Sequence, residues 1–221
     1  MKDPQTRKQG SMERLKKMGV AVNSFLPQVQ DSTQVKLRDA DTVCKKAAAT
    51  LLIIQLACDT ANGEYEESMK VIPGILDEYG VRDSLNAKER RLLTGDHTEQ
   101  DAIDISWTYE VYWSLLWAMG MIEDRELTEV SGICDCEKAI KLLTMEGGYE
   151  GFRSRCRMRD VEEVLDMVDL FYRMDWAAVE HRLRPETPIG SMEPQVVNER
   201  RRGLEWLVSD KEDWNDIPLD T

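Results

Sequence analysis

Between Ile105 and Ile122 the chain carries a single charged residue, Glu110, set among Trp107, Tyr109, Tyr112, Trp113 and Trp117. A stretch this apolar has to be buried. A carboxylate inside it must be paired, protonated or put to use, because an unpaired buried ion costs on the order of several kcal/mol. The run is nearly long enough to span a bilayer. Yet Glu110 sits midway, Asp101, Asp104, Glu123 and Asp124 flank it, and no basic anchor precedes it closely. A buried, aromatic core helix is the reading. It says where the core lies and names no reaction.

The rest of the composition narrows the function by exclusion. At 221 residues, surface-to-volume scaling lets roughly 70% of the unfolded chain's surface be buried, so the core needs no staples. Charged residues at 32% and apolar ones at 42% describe a globular chain. A net charge of −13 argues against nucleic acid, which rewards basic stripes through counterion release, and against anionic lipid. The polar start, Met1-Lys2-Asp3-Pro4-Gln5-Thr6-Arg7, lacks the apolar stretch of a signal peptide, which points to a cytoplasmic protein. Five cysteines, Cys44, Cys58, Cys134, Cys136 and Cys156, form no regular framework and suit reduced thiols. Cys134-x-Cys136 lacks the two-residue spacer of common zinc pairs, and only His97 and His181 are on hand to complete a soft site.

Helical periodicity dominates. The pattern predicts helices over Arg7–Met18, Asp39–Ala61, Glu64–Tyr79 with a kink or split at Pro73-Gly74, and Asn86–Leu93 closed by Gly95. Further helices follow over Thr98–Met121, Cys136–Met145, Gly151–Met158, Asp160–Leu183 and Pro194–Val208. Residues 1–38 read as a first helix plus an extended arm, and 209–221 as an acidic tail packing back through Trp214, the alternative being a peptide ligand for a partner. With no convincing strand, repeat or linker, residues 1–221 are expected to form a single all-α domain. Its architecture would be an irregular multi-helix bundle of about eight to ten helices around the aromatic helix.

Placing residues at 100° steps finds charges on apolar faces. Val161, Leu165, Val168, Tyr172, Trp176, Val179 and Leu183 share a face of the long helix, with Asp175 on it and Arg182 at its margin. Val196, Val197, Leu204 and Leu207 make a stripe on the last helix with Arg200 in its middle. Glu110 lies beside Trp113 and Trp117. Arg200 is therefore expected to bridge toward Glu110 or Asp175, its guanidinium fork satisfying carboxylate oxygens. Glu110, Asp175, Arg182, Glu199, Arg200, Tyr109, Trp113, Tyr172 and Trp176 are the candidate buried polar network or pocket. A purely structural network is the simpler account of it.

Several stretches resemble a known family. Ser106-Trp107-Thr108-Tyr109-Glu110, continuing to Trp113-Ser114-Leu115-Leu116-Trp117-Ala118-Met119-Gly120, is similar to the central motif of the bacterial family called domain of unknown function 4272. Asp169-Leu170-Phe171-Tyr172-Arg173 with Trp176-Ala177 and Arg182-Leu183 resembles its long-helix motif. Val196-Val197-Asn198-Glu199-Arg200-Arg201 with Leu204-Glu205-Trp206-Leu207 resembles its last-helix motif. Asp213-Trp214-Asn215-Asp216 resembles its ending, and Arg14-Leu15, Gly19-Val20 and Leu26-Pro27 also fit. Asp175 stands where that pattern would place a histidine, which weakens any base catalysis there. The resemblance implies a fold and no particular activity.

Catalytic signatures are missing from the sequence: no glycine-rich phosphate loop, no nucleophile elbow, no His-Glu-x-x-His. His181 falls on the polar side of its helix. Glu199-Arg200-Arg201-Arg202 points to different faces, so it makes no nucleic-acid strip. Glu162, Asp166 and Asp169 have the i, i+4, i+7 spacing that could hold Mg²⁺ in an all-α hydrolase, although acids near a helix start are also favoured by its dipole. The sequence thus supports a non-catalytic binding or protein-interaction module without a cofactor. A divalent-metal-dependent hydrolase of nucleotides or phosphoesters is the alternative. The expected partner is a protein or small ligand, with neither nucleic acid nor membrane, and leftover apolar helix surface leaves room for a homodimer.

Overall fold

A computed structural model of the chain describes residues 2–221. Its helices are α1 (Pro4–Lys17), α2 (Ala40–Ala61), α3 (Tyr65–Ser68), α4 (Ile72–Glu78), α5 (Ala87–Thr94) and α6 (Glu99–Ala118). They are followed by α7 (Asp124–Thr128), α8 (Cys136–Thr144), α9 (Gly148–Arg155), α10 (Val161–Leu183) and α11 (Pro194–Val208). Among the described residues the only β pairing is an isolated bridge, Val20 to Ile189. The fold is all-α, and no helix among the described residues is long and apolar enough to cross a membrane.

The chain divides into two compact units. The first comprises residues 1–38, 124–133 and 159–221; the second comprises 39–123 and 134–158.

In the second unit, α2 packs mainly on α6. Ala47, Ala48, Ala49 and Ala57 are buried along α2, and small side chains permit this close approach. Asp39 caps α2 by accepting from the Thr42 amide at 3.0 Å. The predicted helix over 64–79 is broken into α3 and α4, and the break precedes Pro73 rather than falling on it. Proline lacks an N–H that the first helical turn leaves unpaired anyway, so Pro73 starts α4. Capping boxes open α5 through Asn86 and Glu89 and α6 through Thr98 and Asp101, and Gly95 ends α5 in the left-handed conformation. Glu89 also takes Lys46 Nζ at 2.6 Å and the Thr50 hydroxyl at 2.8 Å, all inside the core. Gly120, at φ +70°, ends α6; a Cβ there would stand 2.7 Å from the Arg157 carbonyl, so only glycine fits.

In the first unit, α10 packs on α11 and on α1. Flanked on two sides, α10 buries a broader face than the predicted stripe. Val164, Leu165, Val168, Phe171, Met174 and Ala178 are inside, Tyr172 and Trp176 are half-buried, and Leu183 is 69% exposed. The arm runs across this unit on named bonds. Ala21 N–H donates to Pro188 O at 2.8 Å, Lys8 Nζ donates to Ser24 O and Leu26 O, each at 2.6 Å, and Arg38 Nε donates to Trp206 O at 2.8 Å. The tail packs back as an anchor. Trp214 is fully buried and meets Trp206 edge-on at 5.8 Å, while the Arg38 guanidinium lies 4.1 Å over the Trp206 ring.

Candidate functional site

All three charges picked out on apolar faces are buried: Glu110, Asp175 and Arg200 are each at most 2% exposed. At Asp175 the partner is a neighbouring arginine. Asp175 is paired by Arg201, not Arg200: Arg201 Nη1 lies 2.5 Å from Oδ2, and Asn198 Nδ2 donates to Oδ1 at 3.3 Å. Positions 200 and 201 are one step apart on α11, and both fall inside its wide buried face. Arg201 also bonds Glu205 Oε1 at 3.3 Å and the carbonyls of Leu219 and Asp220, and it stacks 4.9 Å over Tyr172. Burial raises the Glu205 carboxyl above its usual range, against the opposing pull of Arg201.

Arg200 lies on the same buried face. Its Nη1 donates to Leu127 O at 2.7 Å and Glu129 O at 2.5 Å, closing carbonyls at the end of α7 that the helix leaves unpaired. Of the remaining candidates in this unit, Arg182 is exposed and Glu199 accepts from Arg202 Nε at 3.1 Å. In the second unit, Glu110 Oε1 accepts the Cys134 N–H at 2.6 Å. Trp113, three residues on, is buried, and Tyr109 is half-buried, its phenol pushed up by desolvation.

The three acids weighed as a metal site turn to cations instead of to one another. Glu162 accepts from Arg7 Nη2 at 2.5 Å, Ser32 Oγ at 2.7 Å and the Lys2 amide at 3.1 Å. Asp166 accepts from Arg7 Nε at 2.9 Å and Lys2 Nζ at 2.7 Å. These donors hold the Glu162 carboxyl below its usual range, the Ser32 hydroxyl first among them. Asp169 is fully buried and is held by Arg173 through two bonds, at 2.9 and 2.7 Å. No group of three or more His, Cys, Asp or Glu side chains among the described residues converges as metal ligands.

The second unit does contain an open cavity of about 680 Å³. The last turns of α2 give it Ala57, Cys58, Thr60 and Ala61; the loop before α6 gives His97; and α6 gives Glu99, Ala102, Ile103 and Ser106. Small side chains on two closely packed helices leave this space. The His97 ring packs at 5.4 Å on Tyr65, and its Nδ1 is buried with no hydrogen-bond partner. The sequence offered His97 only as a spare metal ligand and Ser106 only as the start of a motif, and it gave no sign of a cavity, since missing volume leaves no periodic trace.

No curated protein and no solved structure matches the chain. A family model matches residues 7–217, which covers the second unit and nearly all of the first. The chain belongs to the family described as Domain of unknown function (DUF4272).

Proposed function

We propose that this is a soluble, cytoplasmic, non-catalytic binding protein whose second unit takes a small organic molecule in the α2–α6 cavity. The observation that carries the reading is the cavity itself. Its volume of about 680 Å³ lies within the range of roughly 300–1,000 Å³ typical of ligand sites. Its walls combine apolar Ala57, Ala61, Ala102 and Ile103 with the hydrogen-bonding Thr60, Ser106 and His97. Glu99 on the wall and a net charge of −13 favour a neutral or cationic ligand over an anion. The hydrolase reading has less support, because Glu162, Asp166 and Asp169 are each engaged by arginine.

A thermal-shift screen of neutral and cationic metabolites against the wild type and Ser106→Trp tests this. An indole at position 106 fills the cavity without touching the buried ion pairs. A ligand at a hundred times its Kd stabilises by about 2.7 kcal/mol, which raises the Tm of a chain this size by about 5–11 °C. The wild type should show that rise and Ser106→Trp should not. Equal stabilisation of both proteins, or stabilisation by Mg²⁺ alone, would overturn the proposal.

A further inference from the structure

Two helical stripes line the α2–α6 cavity of the second unit. Glu99, Ala102, Ile103 and Ser106 stand at i, i+3, i+4 and i+7, so they share one side of α6. Seven helical steps separate Glu99 from Ser106, about 10 Å along the axis, with the apolar pair between them. On α2, Ala57 and Ala61 are one turn apart with Thr60 beside them. Ile103 is 46% exposed, an apolar side chain that the fold leaves uncovered on this wall.

The polar groups of the wall are alike in what they offer. The Thr60 hydroxyl donates to Leu56 O at 2.6 Å and the Ser106 hydroxyl to Ile103 O at 2.7 Å, each inside its own helix. A hydroxyl has a single proton, so both present lone pairs to a ligand. Among the described residues that line the cavity, Glu99 is the one carboxylate, and no lysine or arginine accompanies it. Glu99 is exposed and makes no ion pair with any described residue. Burial pushes the Cys58 thiol up, so it keeps its proton and adds no charge. Asn62 and His97 can donate or accept. A ligand therefore meets hydrogen-bond acceptors and one negative charge beside an apolar strip.

We infer that the cavity selects a small primary amine with an apolar body, its ammonium at Glu99 and its body along Ala102, Ile103 and the α2 alanines. The inference rests on the cavity being the ligand site. An ammonium carries three N–H donors and no acceptor, which suits this wall. A carboxylate of the same shape would be repelled by Glu99 and would find neither hydroxyl proton free. Because Glu99 is exposed, water and salt screen it, and the preference for an amine over its neutral analogue is about fivefold at low salt.

The test is calorimetric titration of the full chain with 2-phenylethylamine, 2-phenylethanol and phenylacetate, probes of one shape and three charges. The amine should bind about fivefold more tightly than the alcohol at low salt, with a smaller margin at high salt, and phenylacetate should bind most weakly. Glu99→Gln should bring the amine to the level of the alcohol and leave the alcohol unchanged. Glu99→Lys should favour phenylacetate over the amine. An amine no tighter than the alcohol in the wild type, or an amine margin that survives Glu99→Gln, would overturn the inference. Ser106→Trp separates it from the reading it rests on. Equal binding of amine and alcohol that Ser106→Trp abolishes overturns the choice of amine and keeps the cavity as the site, whereas amine binding that Ser106→Trp leaves intact removes both. No binding of any of the three probes also overturns the choice of amine, and the thermal-shift screen then decides the cavity by itself.

Discussion

Replacing Arg173 with methionine isolates the energetics of the most deeply buried ion pair in the first unit. Asp169 is fully buried and Arg173 is 2% exposed. The guanidinium meets the carboxylate through two bonds at 2.9 and 2.7 Å, and Nη2 also donates to Pro27 O at 3.0 Å, tying the arm to α10. Methionine retains the apolar stem and removes the charge. The two charge centres lie about 4 Å apart for this geometry, which gives about 4 kcal/mol of attraction at an effective dielectric near 20. The Pro27 bond adds about 1 kcal/mol. Losses in such truncations come mainly from the stranded, desolvated carboxylate, and typically total about 3–5 kcal/mol. That corresponds to a Tm lower by about 6–20 °C for a chain this size. Urea unfolding followed by tryptophan fluorescence and far-ultraviolet circular dichroism measures it, and the two probes together detect any separate melting of the two units. Asp169→Leu combined with Arg173→Met removes both charges and should recover most of the loss. A single variant within about 1 kcal/mol of wild type, or a double variant no better than the single, would refute the reasoning.

Two further changes follow from the same structure. Arg200→Met should cost about 2–4 kcal/mol, because the carbonyls of Leu127 and Glu129 at the end of α7 lose a charged donor; urea denaturation reads this, and an unchanged midpoint would count against it. Asp101 is held down to about 2, chiefly by Arg91 and then by the Thr98 backbone. Its folded value lies below the ordinary 3.8, so its stabilisation is full above about pH 4 and fades as pH falls toward 2. The margin of wild type over Asp101→Asn should be about 1–2 kcal/mol near pH 6 and vanish near pH 2. A pH-independent margin would contradict the assignment.

What the sequence discloses is local. The helix starts at Asn86, Thr98 and Asp160, the stop at Gly95 and the proline start at Pro194 depend on neighbouring residues alone, and each falls where the pattern puts it. Asp39 and Asn86 turn out to be the caps of α2 and α5 rather than their first residues. α7 has five residues, too few for any periodicity to register. The choice between Arg200 and Arg201 was hidden for another reason. A helix buried on a wide face accommodates both, and only the elements packed against it decide which arginine meets Asp175. The pairing of Arg173 with Asp169 was available as an i, i+4 spacing, but the dipole argument placed Asp169 among solvated acids. The bonds from Arg7 to Glu162 and Asp166 span more than a hundred and fifty positions, and no local pattern signals them.

The order in which the chain visits its two compact units bears on how it is made. Every residue of the second unit lies between positions 39 and 158, so it is fully synthesised before residues 159–221 of the first unit. The first unit draws on segments before, within and after that span. Arg7 waits for Glu162, and Arg38 waits for Trp206. During synthesis the leading helix and arm are therefore a clasp held open, and a chain halted soon after residue 158 carries a complete second unit attached to an incomplete first one.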